Sequence, residues 1–185
     1  LMPLFVAHTR GLDAKFNTLA QELRHLSHAS QFKVFGASSS FIKNLSINAE
    51  NKLPLYVPCA AQLAQLVNAV TPSEKLLKLV DCCKLAESGI SKAGKAFGAD
   101  ELLPVICWSI IQSTPMVENF HAQMAFIEEF LGESIASLEA CFFTHVTVAL
   151  GFLDNGAMKA LSDLRNSSSL LDDDDVLDTQ PTLSP

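Results

Sequence analysis

The sequence predicts an all-α protein, a layered bundle of five to seven helices followed by a disordered acidic tail. Apolar residues recur at helical spacing along most of the 185 residues, and no run alternates as a strand would. Helix start and stop signals punctuate the chain at Thr71, Gly132 and Asn155-Gly156. There is no internal repeat, and a chain of this length holds a single hydrophobic core.

The first helix is expected over Leu12 to Leu26, where Leu12, Phe16, Leu19, Leu23 and Leu26 make one apolar stripe. His25 and His28 follow three residues apart, a spacing open to metal, but no third ligand is near and structural histidines are about ten times more common. Gln31 to Ile47 shows no clear period and reads as a loop or a short helix after Ser38. Gly36 to Ser40 shares only composition with a phosphate loop, lacking the later Gly-Lys-Ser/Thr. Past the prolines of "NKLPLYVPCA", Ala60 to Val70 resumes a helix.

"TPSEK" is a clean helix start, with Thr71 as N-cap, Pro72 first in the helix and Glu74 closing a capping box. The helix it opens runs to about Ile90 and is apolar on more than one face, which makes it central. Gly94 to Gly98 break the chain, and Asp100 opens a helix over Leu102 to Gln112 with no charge through Ser113. Two explanations compete for Asp100. It is a helix cap, or an acid that another molecule approaches closely past the small Gly98 and Ala99. Thr114 and Pro115 restart the chain into "MVENFHAQMAFIEEFL", ended by Gly132, and the last helix spans Leu138 to Leu153.

Residues 161–185 are expected to form the tail. Asp172 to Asp175 lack the alternating spacing and glycine of a calcium loop, so the run is read as solvated.

Composition excludes several classes. The chain is 49% hydrophobic with a mean hydropathy of +0.25, yet Leu102–Ile111 and Ala140–Leu153 both fall short of the roughly 20 apolar residues that cross a bilayer. The start has no basic region or small-residue cleavage site, and the chain reads as a piece of something longer. Five cysteines, an odd count without C-x-x-C, suit a reduced cytosolic setting. A net charge of −7 disfavours nucleic acid. The histidines and cysteines show no nucleophile-base pattern, and nothing calls for a cofactor or a metal.

Four segments in order resemble the Vps-nine domain, the exchange-factor module for Rab-five-type small GTPases. "TPSEKLLKLVDCCKL" resembles its Thr-Pro-x-x-Lys opening and cysteine-lysine helix. "GADELLPVICWSII" is similar to its most specific motif, two small residues, Asp, an acid, two apolar residues, Pro and a later aromatic. "FIEEF" and "EACFFTHVTVALGFL" resemble its two closing segments. Cys141 follows Asp100 by 41 residues, about the family's separation of its acid from its tyrosine.

The resemblance implies a helical support in residues 1–70 and a Vps-nine-like core in 71–160. It also implies guanine-nucleotide exchange on an endosomal Rab-five-type GTPase, bound nucleotide-free or with GDP, by a cytoplasmic protein recruited to endosomal membranes. Asp100 is then the catalytic acid, and Leu103, Pro104, Cys141, Thr144 and His145 meet the GTPase. Cys141 and His145 depart from the family's tyrosine and asparagine, and Ser137-Leu138 from its Gly-Glu. Those departures favour a second possibility, a GTPase-binding scaffold of weak or no exchange activity. A third, a helical adaptor taking a partner helix in an apolar groove, predicts indifference to Asp100.

Overall fold

The computed structural model describes residues 1–46, 56–92, 98–131 and 135–169. Among these are nine α-helices, one 3-10 turn and no strand. The helices are α1 (Met2–Arg24), α2 (His28–Val34), α3 (Ser39–Ser46), α4 (Val57–Ala64), α5 (Pro72–Lys92), α6 (Ala99–Ser113), α7 (Phe120–Leu131), α8 (Ser137–Asn155) and α9 (Ala157–Ser169), with the 3-10 turn at Gln65–Asn68. The all-α bundle is as expected, and the higher helix number comes from short segments in which periodicity has no room to show.

α2 is one of these. Its seven residues are held by their ends, the Ser27 hydroxyl accepting from the Ser30 amide at 3.2 Å. Gly36, with φ +82°, closes it in a Schellman turn in which the amides of Gly36 and Ala37 donate to the carbonyls of Lys33 and Phe32. That turn explains Gly36, and Ser38 caps the next helix through the Phe41 amide.

α1 starts ten residues before the expected Leu12 and presents a different face. Thr9, Asp13, Phe16, Leu19, Ala20 and Leu23 are buried, while Leu12 is 54% exposed. The apolar stripe misled because two inward positions are polar, Thr9 bonding to Asp13 one turn on and Asp13 to His121 far along the chain. α7 likewise starts at Phe120 and not at Met116, since residues 114–119 form turns ahead of it.

α5 and α6 are the centre. The capping box forms as the sequence predicts: the Thr71 hydroxyl accepts from the Glu74 amide, and the Glu74 carboxylate accepts from the amides of Thr71 and Val70. Lys75 is buried and donates to the Leu66 carbonyl at 2.9 Å, tying the start of α5 to the 3-10 turn. The Thr-Pro-x-x-Lys signature is therefore structural here. α5 packs against α4, α6, α7 and α8, and α6 against α1, α2, α4, α5 and α8. So surrounded, α6 has no place for a charge from Leu102 onward: Leu102 and every residue from Pro104 to Ile111 are buried. Trp108 stacks into an aromatic group with His28, Phe32 and Tyr56, and the His28 ring meets the Tyr56 hydroxyl at 3.1 Å.

At the other end the expected tail from residue 161 is corrected as far as Ser169. α9 continues directly from α8, and Ala157, Leu161 and Leu164 repeat at helical spacing, Leu161 at 0% exposure. Arg165 reaches Glu22 on α1 at 3.3 Å. Residues 170–185, with the Asp172 to Asp175 run, lie outside the described residues, as do Gly94 and the Gly132 stop signal.

Candidate functional site

The first turn of α6 separates the two neighbouring acids. The helix begins at Ala99 with Gly98 as N-cap, so Asp100 is its second residue and not its cap. Asp100 is exposed. Glu101 does something else: its carboxylate lies 2.7 Å from where a Cβ on Gly98 would sit, so it folds back over the N-cap in the manner of a capping box. The small residue at 98 thus makes room for the chain's own Glu101, leaving Asp100 as the acid turned to solvent at a helix N-terminus, where the helix dipole favours negative charge. Pro104 adds a further local effect. With no N–H it cannot bond the Asp100 carbonyl four residues back, so the turn carrying the acid is less tightly tied than the rest of α6.

α8 packs along α6, with the Cys107 thiol 3.8 Å from the Ala149 carbonyl. Residues 140–153 carry no Asp, Glu, Lys or Arg. One side of α8 is core, through Phe142, Val146, Ala149 and Leu153. The other presents Leu138, Cys141, Thr144, His145 and Val148 at helical spacing, with Leu138 60% and Val148 53% exposed. The hydroxyls of Thr144 and Thr147 bond back to the carbonyls of Ala140 and Phe143, so these residues offer mainly methyl surface outward. α8 thus leaves an uncharged face open to solvent.

Of the sequence-predicted residues, Asp100, Cys141 and Thr144 are exposed and Leu103 and His145 half-buried. Pro104 is the correction: it is buried and forms no part of the open surface. Leu138 and Val148 belong to the face and were missed, although their spacing from Cys141 and His145 was the available signal. Cys141 does not pack beneath Phe142 and Phe143; it faces out. The other four cysteines are buried, and burial pushes the thiols of Cys59 and Cys83 up to about 12 and those of Cys82 and Cys107 well above their ordinary value. They are core residues.

A second polar cluster went unseen in the sequence. His121, 8% exposed, sits between two carboxylates, Nδ1 2.9 Å from Asp13 Oδ1 and Nε2 3.0 Å from Asp154 Oδ2. Its backbone amide also donates to Asp13, and the Thr9 hydroxyl donates to the other Asp13 oxygen at 2.7 Å. Burial opposes a charge on the ring, but the bonds to Asp13 and Asp154 outweigh it and raise its pKa to about 9. For Asp13, burial works to raise the carboxyl and the bonds from His121 and Thr9 prevail, holding it below its ordinary value. Every donor and acceptor there is used internally. The cluster fastens α1, α7 and α8 together.

Residues 56–158 match the vacuolar sorting protein 9 (VPS9) domain, so the chain belongs to the VPS9 domain family. The match takes in α4 to α8 and the first residues of α9, ahead of and beyond the quoted motifs. Relatives include vacuolar protein sorting-associated protein 9A of Arabidopsis thaliana, 32% identical over 97 residues, 49% of this chain and 18% of that protein. Receptor-mediated endocytosis protein 6 of Caenorhabditis briggsae is 37% identical over 79 residues, 42% of this chain and 7% of the relative. The vacuolar protein sorting-associated protein 9A of Oryza sativa subsp. japonica is 29% identical over 140 residues, 71% of this chain and 29% of the relative. The chain thus spans less than a third of each relative. Among the described residues no helix is long and apolar enough to cross a membrane.

Proposed function

We propose that this chain is a guanine-nucleotide exchange module for a small GTPase of the Rab-five type, acting in endocytic traffic at endosomal membranes. The observation that carries the proposal is Asp100, a solvent-facing acid in the first turn of α6 whose neighbour Glu101 is turned away. The outward face of α8, together with the half-buried Leu103 of α6, takes the apolar switch residues of the GTPase. Asp100 then enters the nucleotide site, accepts the lysine that had held the phosphates and repels the phosphate oxygens, both strong effects at short range in a partly desolvated site. No bond in the protein is made or broken, and no cofactor is needed. By linkage, whatever factor weakens the nucleotide also weakens the exchange factor when nucleotide is bound, so the preferred partner is nucleotide-free or GDP-bound.

The open Cys141 supports a second reading, a scaffold that binds the GTPase on the same face with little exchange. It is a small side chain where the resembling family has an aromatic anchor. Release of labelled GDP from a panel of endosomal Rab proteins, alongside capture of their nucleotide-free forms, separates the two. Catalysed release from at least one member is expected. Capture without release would leave the scaffold, and neither would remove both.

A further inference from the structure

We infer that the outward face of the first half of α1 is a self-association surface that pairs antiparallel with the same face of a second copy of this chain. This does not depend on exchange activity and uses no residue of α6 or α8.

The helix changes character along its outer side. From Lys15 onward that side is polar, with Thr18 exposed and Glu22 bonded to Arg165, as a solvated face should be. Before Lys15 one strip of it is largely apolar, with Leu4 69% and Leu12 54% exposed and Gly11 and His8 between them, while the exposed Arg10 lies to the side of the strip. Beside this strip, Phe5 on α1 meets Phe126 and Phe130 on α7 at ring separations of 5.6 and 6.2 Å, and Phe130 is itself 46% exposed. Leu4, Phe5, His8, Glu129 and Phe130 line a hollow of about 320 Å³.

The strip is complementary to itself about His8. Laid antiparallel on a second copy, Leu4 meets Leu12, Phe5 meets Gly11, and His8 meets its own equivalent, which is the isologous pattern a two-fold axis demands. The shapes agree with the register. Nothing lies within 4 Å of a Cβ built on Gly11, so a second copy can approach the helix closely there, and Leu12 of the second copy falls over the hollow beside Leu4.

Charge selects the same arrangement. Glu129 borders the hollow at the early end of the strip, Lys15 stands at its late end, and neither makes an ion pair among the described residues. Antiparallel pairing brings each Lys15 toward Glu129 of the other copy, twice by symmetry, whereas parallel pairing sets like charges side by side. The strip, Leu4 to Lys15, spans only about three helical turns and lies at the small end of specific interfaces, so a dissociation constant of roughly 10 to 100 µM is expected.

The test is sedimentation equilibrium of the 185-residue chain over about 5 to 500 µM, with circular dichroism confirming the fold of each variant. Average mass should climb from monomer towards dimer across that range. Leu4→Glu and Leu12→Glu should each weaken association at least tenfold with melting temperature unchanged, as both side chains are exposed. Lys15→Glu and Glu129→Lys should each weaken it severalfold, and the double variant should recover the wild-type value because both pairs re-form with reversed sign. A monomer throughout the range, a dimer indifferent to Leu4→Glu, or a double variant weaker than either single one would overturn the proposal.

Discussion

Asp13 and Asp100 are two helical aspartates with opposite surroundings. Asp13 is buried, accepts from His121 twice and from Thr9 once, and every one of its partners is fixed by the fold. Asp100 is exposed, and even its backbone carbonyl lacks the helical bond that Pro104 cannot supply. An acid whose bonds are all internal contributes to stability; one that faces solvent, with no partner among the described residues, is open to another molecule. The same sequence chemistry gives both, and only the environment divides them.

Removing the buried acid should have the largest effect. Asp13→Ala leaves His121 inside with one carboxylate in place of two and unties the Thr9 hydroxyl, a break of the kind that costs about 3 to 5 kcal/mol. Thermal unfolding should show the loss directly, and a change of under about 1 kcal/mol would mean the cluster is neutral to folding. Asp100→Asn should do the reverse. Melting is unchanged while GDP release slows a hundredfold or more, equivalent to roughly 2 to 4 kcal/mol of lost coupling. Equal rates for both proteins would make the exposed acid idle.

The buried cluster also predicts a pH signature. His121 has its pKa raised from 6.5 to about 9 in the fold, so its stabilising charge is fully present below pH 6.5 and disappears as pH rises through 9. Asp13 is lowered, so its contribution is lost at the acid end, as pH falls through its folded value. His121→Gln keeps hydrogen-bonding capacity without the charge, and the stability gap between it and wild type should narrow by about 2 to 3 kcal/mol from pH 6.5 to 9.5. A gap constant across that range would show that the ring is neutral in the fold.

A smaller effect is expected on the open side of α8. Because Cys141 faces outward, Cys141→Tyr should leave melting temperature within a degree or two of wild type, without the penalty of an overfilled core. GTPase affinity or exchange should rise, by up to about 2 kcal/mol if the ring acts as an anchor. Loss of stability would mean that position 141 is closed in solution.

How much was legible follows from where each residue's partners lie. The capping box at Thr71 and Glu74 was readable because both partners fall within four residues, and the charge-free run from Leu102 announced a helix enclosed on all sides. Asp100 was readable as an acid at a helix start, and a family pattern gave it a role. The fold-back of Glu101, the burial of Pro104 and the outward turn of Cys141 depend on how helices rotate against one another, which spacing alone leaves open. Leu12 and Asp13 show this best. Hydrophobicity put Leu12 inside, yet Asp13 is the buried one because His121 waits for it 108 residues away.

Pro104 leaves one more trace, in time rather than in energy. A proline at the sixth position of α6 has no amide to exchange with solvent, and it divides a loosely held turn from a segment buried on every side. In heavy water the amides of Glu101 and Leu102 should therefore exchange through local fraying, while those from Ile106 to Ile111 wait for the whole domain to open. The acid end of α6 should then sample many small openings during each lifetime of the folded core. Such a turn can adjust to a partner's surface without the domain having to loosen.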